Sequence, residues 1–158
     1  MEFSIATIVF ITLTAGFLGT IVMTLGQVFE MRITGRSISF SPAIGFSKVF
    51  GINFDVLTER NKTTLNYIAH FLYGTVWAIP FTLLLLAGFT NYLSMLLMYF
   101  IVVWAQGMVV LPLFGATPPP WKWGIKSLSK DGMHHFIYAL TTSVLLIKIA
   151  ELTLAPIT

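Results

Sequence analysis

Five ionisable residues sit in or beside long apolar runs: Glu30, His70, Asp131, His134 and His135. Such residues are costly at membrane depth and mark functional positions by default. Asp131 stands three residues before His134 and four before His135, so on a helix the three share one broad face. The two adjacent histidines diverge by about 100°, which predicts that only one of them faces other helices. Glu30 falls at the end of a helical run, where the helix dipole disfavours a negative charge, and so needs a compensating partner.

Three arrangements satisfy these groups. In the leading one the cluster is structural: Glu30 pairs with Arg32, Arg36 or a protonated histidine, Asp131 caps the fourth helix, and the histidines bond to backbone or tyrosine hydroxyls. In the second, histidine and carboxylate form a ligand set for a divalent metal such as zinc, iron or manganese, with Glu30, His70, Asp131, His134 and His135 as candidate ligands. In the third, and the more distant fit, His70 and His135 sandwich a haem, with Gly74 and Ala139 leaving room for the ring edge. Proton relay or quinone chemistry would draw on the same side chains. The sequence contains no nucleophile–base pair, phosphate-binding loop or nucleotide motif.

The rest of the chain says what must position these residues. Of 158 residues, 56% are hydrophobic and 9% charged, with a net charge of +3. An average soluble protein carries roughly 25% charged residues. This composition excludes a soluble enzyme, a disordered chain and a nucleic-acid binder, and it makes the lipid bilayer the solvent. With no cysteine, disulfides, zinc–thiolate sites and iron–sulfur clusters are excluded.

A bilayer core needs about 20 mostly apolar residues of helix. Residues 3–29 supply one uncharged run, preceded by Glu2 where a signal peptide would have a basic leader, and much longer than a signal core. Residues 63–121 contain no Asp, Glu, Lys or Arg and are too long for one span. Gly88-Phe89-Thr90-Asn91 is their natural turn. The expected fold is therefore all-α: a single four-transmembrane-helix domain, with helices near 3–29, 64–87, 92–114 and 132–154. Pro80 and Pro112 predict kinks in helices two and three. Arg32, Arg36, Lys48, Arg60 and Lys62 lie in connection one and Lys122, Lys126 and Lys130 in connection three, while Lys148 belongs to the other side. The positive-inside rule then places both connections in the cytoplasm and both termini outside, in the plasma or inner membrane. On that topology the Asn61-Lys62-Thr63 sequon is a chance match.

His70-Phe71-Leu72-Tyr73-Gly74 recurs as His135-Phe136-Ile137-Tyr138-Ala139, which points to two tandem helical hairpins. The repeat puts His70 and His135 at one depth, roughly 8–10 Å from the basic rim at about 1.5 Å per residue. Small residues form stripes at Thr12, Gly16, Thr20 and Thr24, at His70, Gly74, Ala78 and Thr82, and at His135, Ala139 and Ser143. Stripes of this kind let membrane helices approach closely. The geometry predicts that His70 and at least one of His134 and His135 come within reach, with Glu30 or Asp131 nearby. In the connections, Ser41-Pro42 starts a short amphipathic helix with Ala43, Phe46, Val49 and Phe50 on one face and Ser47 and Lys48 on another. Pro118-Pro119-Pro120-Trp121-Lys122-Trp123-Gly124 reads as an extended interfacial anchor.

Met23-Thr24, Glu30-Met31-Arg32-Ile33-Thr34-Gly35-Arg36, the Pro118–Gly124 segment and Asp131-Gly132-Met133-His134-His135 together resemble a group of small uncharacterised prokaryotic membrane proteins, similar in layout to the YagU-like inner-membrane family. The resemblance covers nearly the whole chain. It implies a four-helix membrane fold and one acidic–histidine cluster, and it brings no reaction with it. The expected role is an accessory or structural subunit of a larger membrane complex, without a catalytic site. The alternatives are a metal- or haem-binding protein built on the cluster, and a small transporter or channel lined by Gln106 and the Thr12–Thr24 stripe.

Overall fold

The computed structural model describes residues 4–89 and 91–154, with side chains through 152. Glu2, the start of the first run at Phe3, Thr90 and the last four residues lie outside the described residues. The described chain is helical: α1 (Ile5–Thr34), α2 (Ser41–Phe50), α3 (Glu59–Val76), α4 (Ile79–Leu86), α5 (Tyr92–Leu113) and α6 (Ile125–Leu154), with 3-10 turns at Phe54–Val56 and Pro120–Lys122. Four segments are long and apolar enough to cross a membrane: α1, α3 with α4, α5, and α6. They form the expected four-helix bundle.

Local chemistry sets the ends. Ser4 caps α1 by accepting from Thr7 N at 3.1 Å, and Asn91 caps α5 by accepting from Ser94 N at 3.1 Å. Gly88, at φ 81°, makes the left-handed turn between α4 and α5 that a side chain would resist. Three spans run further toward the basic end than their apolar stretches do. α1 continues to Thr34, α3 starts at Glu59, and α6 starts at Ile125, seven residues before the expected Gly132. The reason is that hydropathy marks where a helix meets lipid, not where its hydrogen bonding stops. Lys, Glu and Arg are good helix formers that carry these helices into water. Asp131 therefore lies inside α6 and does not cap it.

Pro80 breaks the second span as expected. It offers no N–H to the carbonyl of Val76, and α3 gives way to α4 across Trp77 and Ala78. Carbonyls released there are taken by hydroxyls from two other helices. Tyr99 of α5 donates to Trp77 O at 2.8 Å, and Tyr138 of α6 donates to Gly74 O. Both tyrosines are almost fully buried. Pro112 sits in the last turn of α5, which ends one residue later.

The α1 stripe meets the α3–α4 stripe in antiparallel register. Thr24 Oγ1 is 3.1 Å from His70 Nε2, and Thr12 Oγ1 is 2.9 Å from Thr82 Oγ1. Between them, a side chain on Gly74 would strike Thr20, and one on Gly16 would strike Ala78 and the Thr75 carbonyl. On its other side α1 packs along α6, where a side chain on Gly19 would overlap Thr142 Oγ1. α5 packs on α6 and on α4, whereas α3 and α5 have at most marginal contact. The two hairpins therefore meet closely along α1 and α6 and stand apart at the basic end between α3 and α5. α2 bridges that gap, packed on α3 and reaching α5. Its inward face is the small one: Ala43, Gly45 and Ser47 are buried while Val49 and Phe50 are exposed. Of the expected apolar face, Ala43 is buried and Phe46 is half-buried against the cavity, while Val49 and Phe50 at the end of the helix are exposed. The third connection keeps an extended Pro119 (φ −58°, ψ 147°) before its 3-10 turn.

Gly19→Val should abolish the α1–α6 approach and lower the melting temperature of the protein in detergent, whereas Gly26→Ala should be close to neutral. A Cβ at Gly26 meets Ile137 only at 3.8 Å, an ordinary contact. Circular dichroism melts of the two variants give the comparison, and equal losses would show the approach to be unimportant.

Candidate functional site

The C-terminal turn of α1 and the first turns of α6 meet at the basic end. Glu30 is 8% exposed and is held by three donors. Lys130 Nζ lies 2.5 Å from its Oε1, Arg36 Nη2 2.9 Å from its Oε2, and Thr34 Oγ1 donates to Oε1 at 2.9 Å. Arg36 is one of the expected partners. Arg32 is not in this group, and Lys130, placed in a loop by the sequence reading, comes from the unexpectedly long start of α6. These cations offset the unfavourable dipole at the end of α1.

The cluster is wider in the structure than one metal site. His70 on α3 turns its Nε2 to Thr24. His135 donates from Nδ1 to the carbonyl of Asp131 at 2.8 Å, with the Asp131 carboxylate 3.5 Å away. This bond puts a proton on Nδ1, so that in the neutral ring the lone pair is on Nε2. That nitrogen lies against Gly107 of α5, 3.5 Å from where a Cβ would be. The Asp131 carboxylate accepts from Trp104 Nε1 at 3.0 Å, and the absence of a side chain at Gly132 makes room for that indole. Among the described residues no three histidine or acidic side chains come together in a way that could hold a metal ion.

Both histidines of the α6 pair turn inward, not one as the 100° separation predicts. His134 is 4% exposed and His135 is half-buried, while Met133 and Phe136 on either side are exposed. α6 packs against α1 on one flank and α5 on the other, so its buried arc is wide enough for adjacent positions. His70 and His135 both line one cavity in the gap.

That cavity, of about 640 Å³, fills the space between α3 and α5 and is covered by α2. Its wall is mostly apolar and aromatic, including Met23, Phe46, Tyr73, Trp77, Phe114 and Tyr138. Its polar lining comes from Thr24, Gln27, Asn66, His70, Gln106, Asp131, His134 and His135, and Arg36, Lys126 and Lys130 stand at the basic end. Asn66 also ties the cover down by accepting from Ala43 N at 3.2 Å. Gln106 Oε1 and Nε2, Thr117 Oγ1 and His134 Nε2 are buried without a hydrogen-bond partner among the described residues. Each such group costs about 1–3 kcal/mol while unpaired. Thr12 and Thr20 are buried in the helix packing, with Thr12 Oγ1 2.9 Å from Thr82 Oγ1, while Thr20 and Thr24 of the same stripe also line the cavity.

Sequence reasoning did not find Trp104, Tyr99 or Asn66. Asn66 had a signal, being an amide in an otherwise apolar turn; Trp104 and Tyr99 had none, because aromatic residues abound in every span. Fold and site together define a bundle of four helical segments long and apolar enough to cross a membrane, with an internal cavity lined in part by polar residues. Compared with protein-family models, curated proteins and solved structures, the chain matches none.

Replacing Glu30 with Gln leaves Lys130 and Arg36 beside a neutral group. Because Arg36 is 38% exposed, the loss should be roughly 1–2 kcal/mol, below the 3–5 kcal/mol of a fully buried pair. Adding Lys130→Met should return part of it. Thermal melts of the single and double variants check both, and additive losses would show that Lys130 does not depend on Glu30.

Proposed function

We propose that this chain is an integral membrane protein that holds a lipid-soluble amphiphile between α3 and α5, serving as an accessory component of a larger membrane assembly and not as an enzyme. The observation that carries the proposal is the cavity. Its volume of about 640 Å³ lies within the range of roughly 300–1,000 Å³ typical of small-molecule sites. It pairs an apolar wall with a few polar residues, of which Gln106, Thr117 and His134 have buried polar atoms without hydrogen-bond partners among the described residues. A tail suits the wall and a head suits the polar floor. The excess of Lys and Arg in connections one and three supports a mouth in the cytoplasmic leaflet.

Metal and haem are weaker readings of the same residues. Glu30 is saturated by Lys130, Arg36 and Thr34, His70 Nε2 faces Thr24, and His135 Nδ1 is committed to Asp131. The assembly half of the proposal draws on large exposed apolar residues such as Phe10, Phe29 and Leu113. Acyl chains cover such faces equally well, so this half has a separate test.

Native mass spectrometry of the protein extracted in mild detergent should show a one-to-one adduct with a small apolar molecule. Bare chain alone, together with no saturable uptake of a fluorescent amphiphile, would overturn the binding reading. Size-exclusion chromatography from the native membrane should find the chain travelling with other subunits. A monodisperse lone species of 17.6 kDa would remove the accessory role.

A further inference from the structure

Charged and neutral polar groups are separated by depth along the cavity. At the mouth the one Glu30 carboxylate is shared by Lys130 and Arg36 at 2.5–2.9 Å, which leaves that group with a net positive charge, and Lys126 is exposed. One turn deeper along α6 come His134 and His135. At the same level on α5 is Gln106, seven residues or about 10 Å from the end of that helix. Among the described residues this inner layer holds both amide atoms of Gln106 and Nε2 of His134, which is 96% buried, without hydrogen-bond partners, and Thr117 Oγ1 is a further such group toward the mouth. His135 adds an Nε2 lone pair fixed in direction by the Nδ1 bond to Asp131.

This distribution discriminates between head groups. An anionic head is served at the mouth, where Arg36, Lys126 and Lys130 outnumber Glu30, whereas at His135 the formal charge is the Asp131 carboxylate, 3.5 Å from Nδ1, which opposes it. A neutral head faces no such opposition. An amide has two donors and an acceptor, and an uncharged imidazole has one of each, so either a carbonyl or a hydroxyl oxygen is served. The flanking rings of Tyr73, Trp77, Phe46 and Phe114 favour a flat partner by stacked or edge-to-face contact.

Building on the binding reading, we infer that the cavity takes a neutral planar ring bearing carbonyl or hydroxyl oxygens on an apolar tail, the chemistry of an isoprenoid quinone and its quinol. Gln106 and His135 meet ring oxygens, and the tail leaves along the apolar wall toward lipid. The claim is one of binding, with no electron transfer assigned to the chain.

The test is a titration of the intact purified protein with a short-tailed benzoquinone, followed by tryptophan fluorescence, since Trp77 and Trp123 line the cavity. A fatty acid and a prenol are the comparison probes. Quenching by the quinone should saturate at one-to-one. Gln106→Leu should weaken it about tenfold, the loss expected when one well-made hydrogen bond goes. Gly107→Ala is the second variant. Its methyl group would sit 3.5 Å from His135 Nε2, an ordinary contact that keeps the fold but covers the lone pair. Retained helical circular dichroism and melting temperature show that both variants are folded. Unchanged quinone affinity in both would overturn the assignment. Tighter binding of the fatty acid, or equal binding of the ringless prenol, would overturn the head-group inference and leave the amphiphile reading standing. Saturation by none of the three probes would remove both.

Discussion

Helices in a bilayer gain little by hiding apolar side chains from one another, because acyl chains are just as apolar. What holds this bundle together is therefore close approach. The approach depends on one helix, α1, whose two flanks are lined with residues small enough to touch backbone. Gly16 and Thr20 fit against α3 and its break, and Gly19 fits against Thr142 of α6. Once α1 is clamped between these two helices, its C-terminal turn is delivered beside the start of α6. Glu30 then meets Lys130 a hundred residues along the chain. The ion cluster at the basic end is a consequence of the glycine contacts further in.

The same clamp explains why the bundle is uneven. Two hairpins related by a perfect pseudo-twofold axis would make two equivalent seams, α1 on α6 and α3 on α5. The first is tight, while the second closes only in its far half, through α4 on α5. On the open side the helices carry His70, Tyr73, Gln106 and Val110, all larger than the glycines and threonines of the closed seam. α3 and α5 stand apart around the cavity, and the short helix α2, with Ala43, Gly45 and Ser47 on its buried face, covers the opening.

Much of this was legible from the residues in order. The four spans, the Pro80 break, the Asn91 turn and the α2 start at Ser41-Pro42 follow from hydropathy and from Pro, Gly and Asn chemistry. The stripe at Thr12, Gly16, Thr20 and Thr24 pairs with that at His70, Gly74, Ala78 and Thr82, as spacing alone indicates. Polar helical extensions were not legible, because a run such as Lys126 to Asp131 reads as a loop to any measure based on lipid preference. The inward turn of both His134 and His135 was hidden for a related reason: periodicity gives the direction of a face but not the width of its buried arc, which depends on how many neighbours a helix has. Nor does one-dimensional spacing reveal that His70 and His135 are separated by a cavity, since it carries no information on how far apart two helices stand.

The Tyr99 and Tyr138 hydroxyls at the α3–α4 break have a mechanical meaning. A proline break is ordinarily a flexible joint, because the carbonyls it frees can change partners as the helix bends. Here Trp77 O and Gly74 O are each held by a hydroxyl from a different neighbouring helix, and the two hydroxyls lie 3.2 Å apart. The joint is pinned from two directions. Bending α3 relative to α4 would pull on both pins at once, in a medium with no water to replace either bond. The two pins therefore tie α3 and α4 into one span despite the break, and they do so through the two helices of the other hairpin.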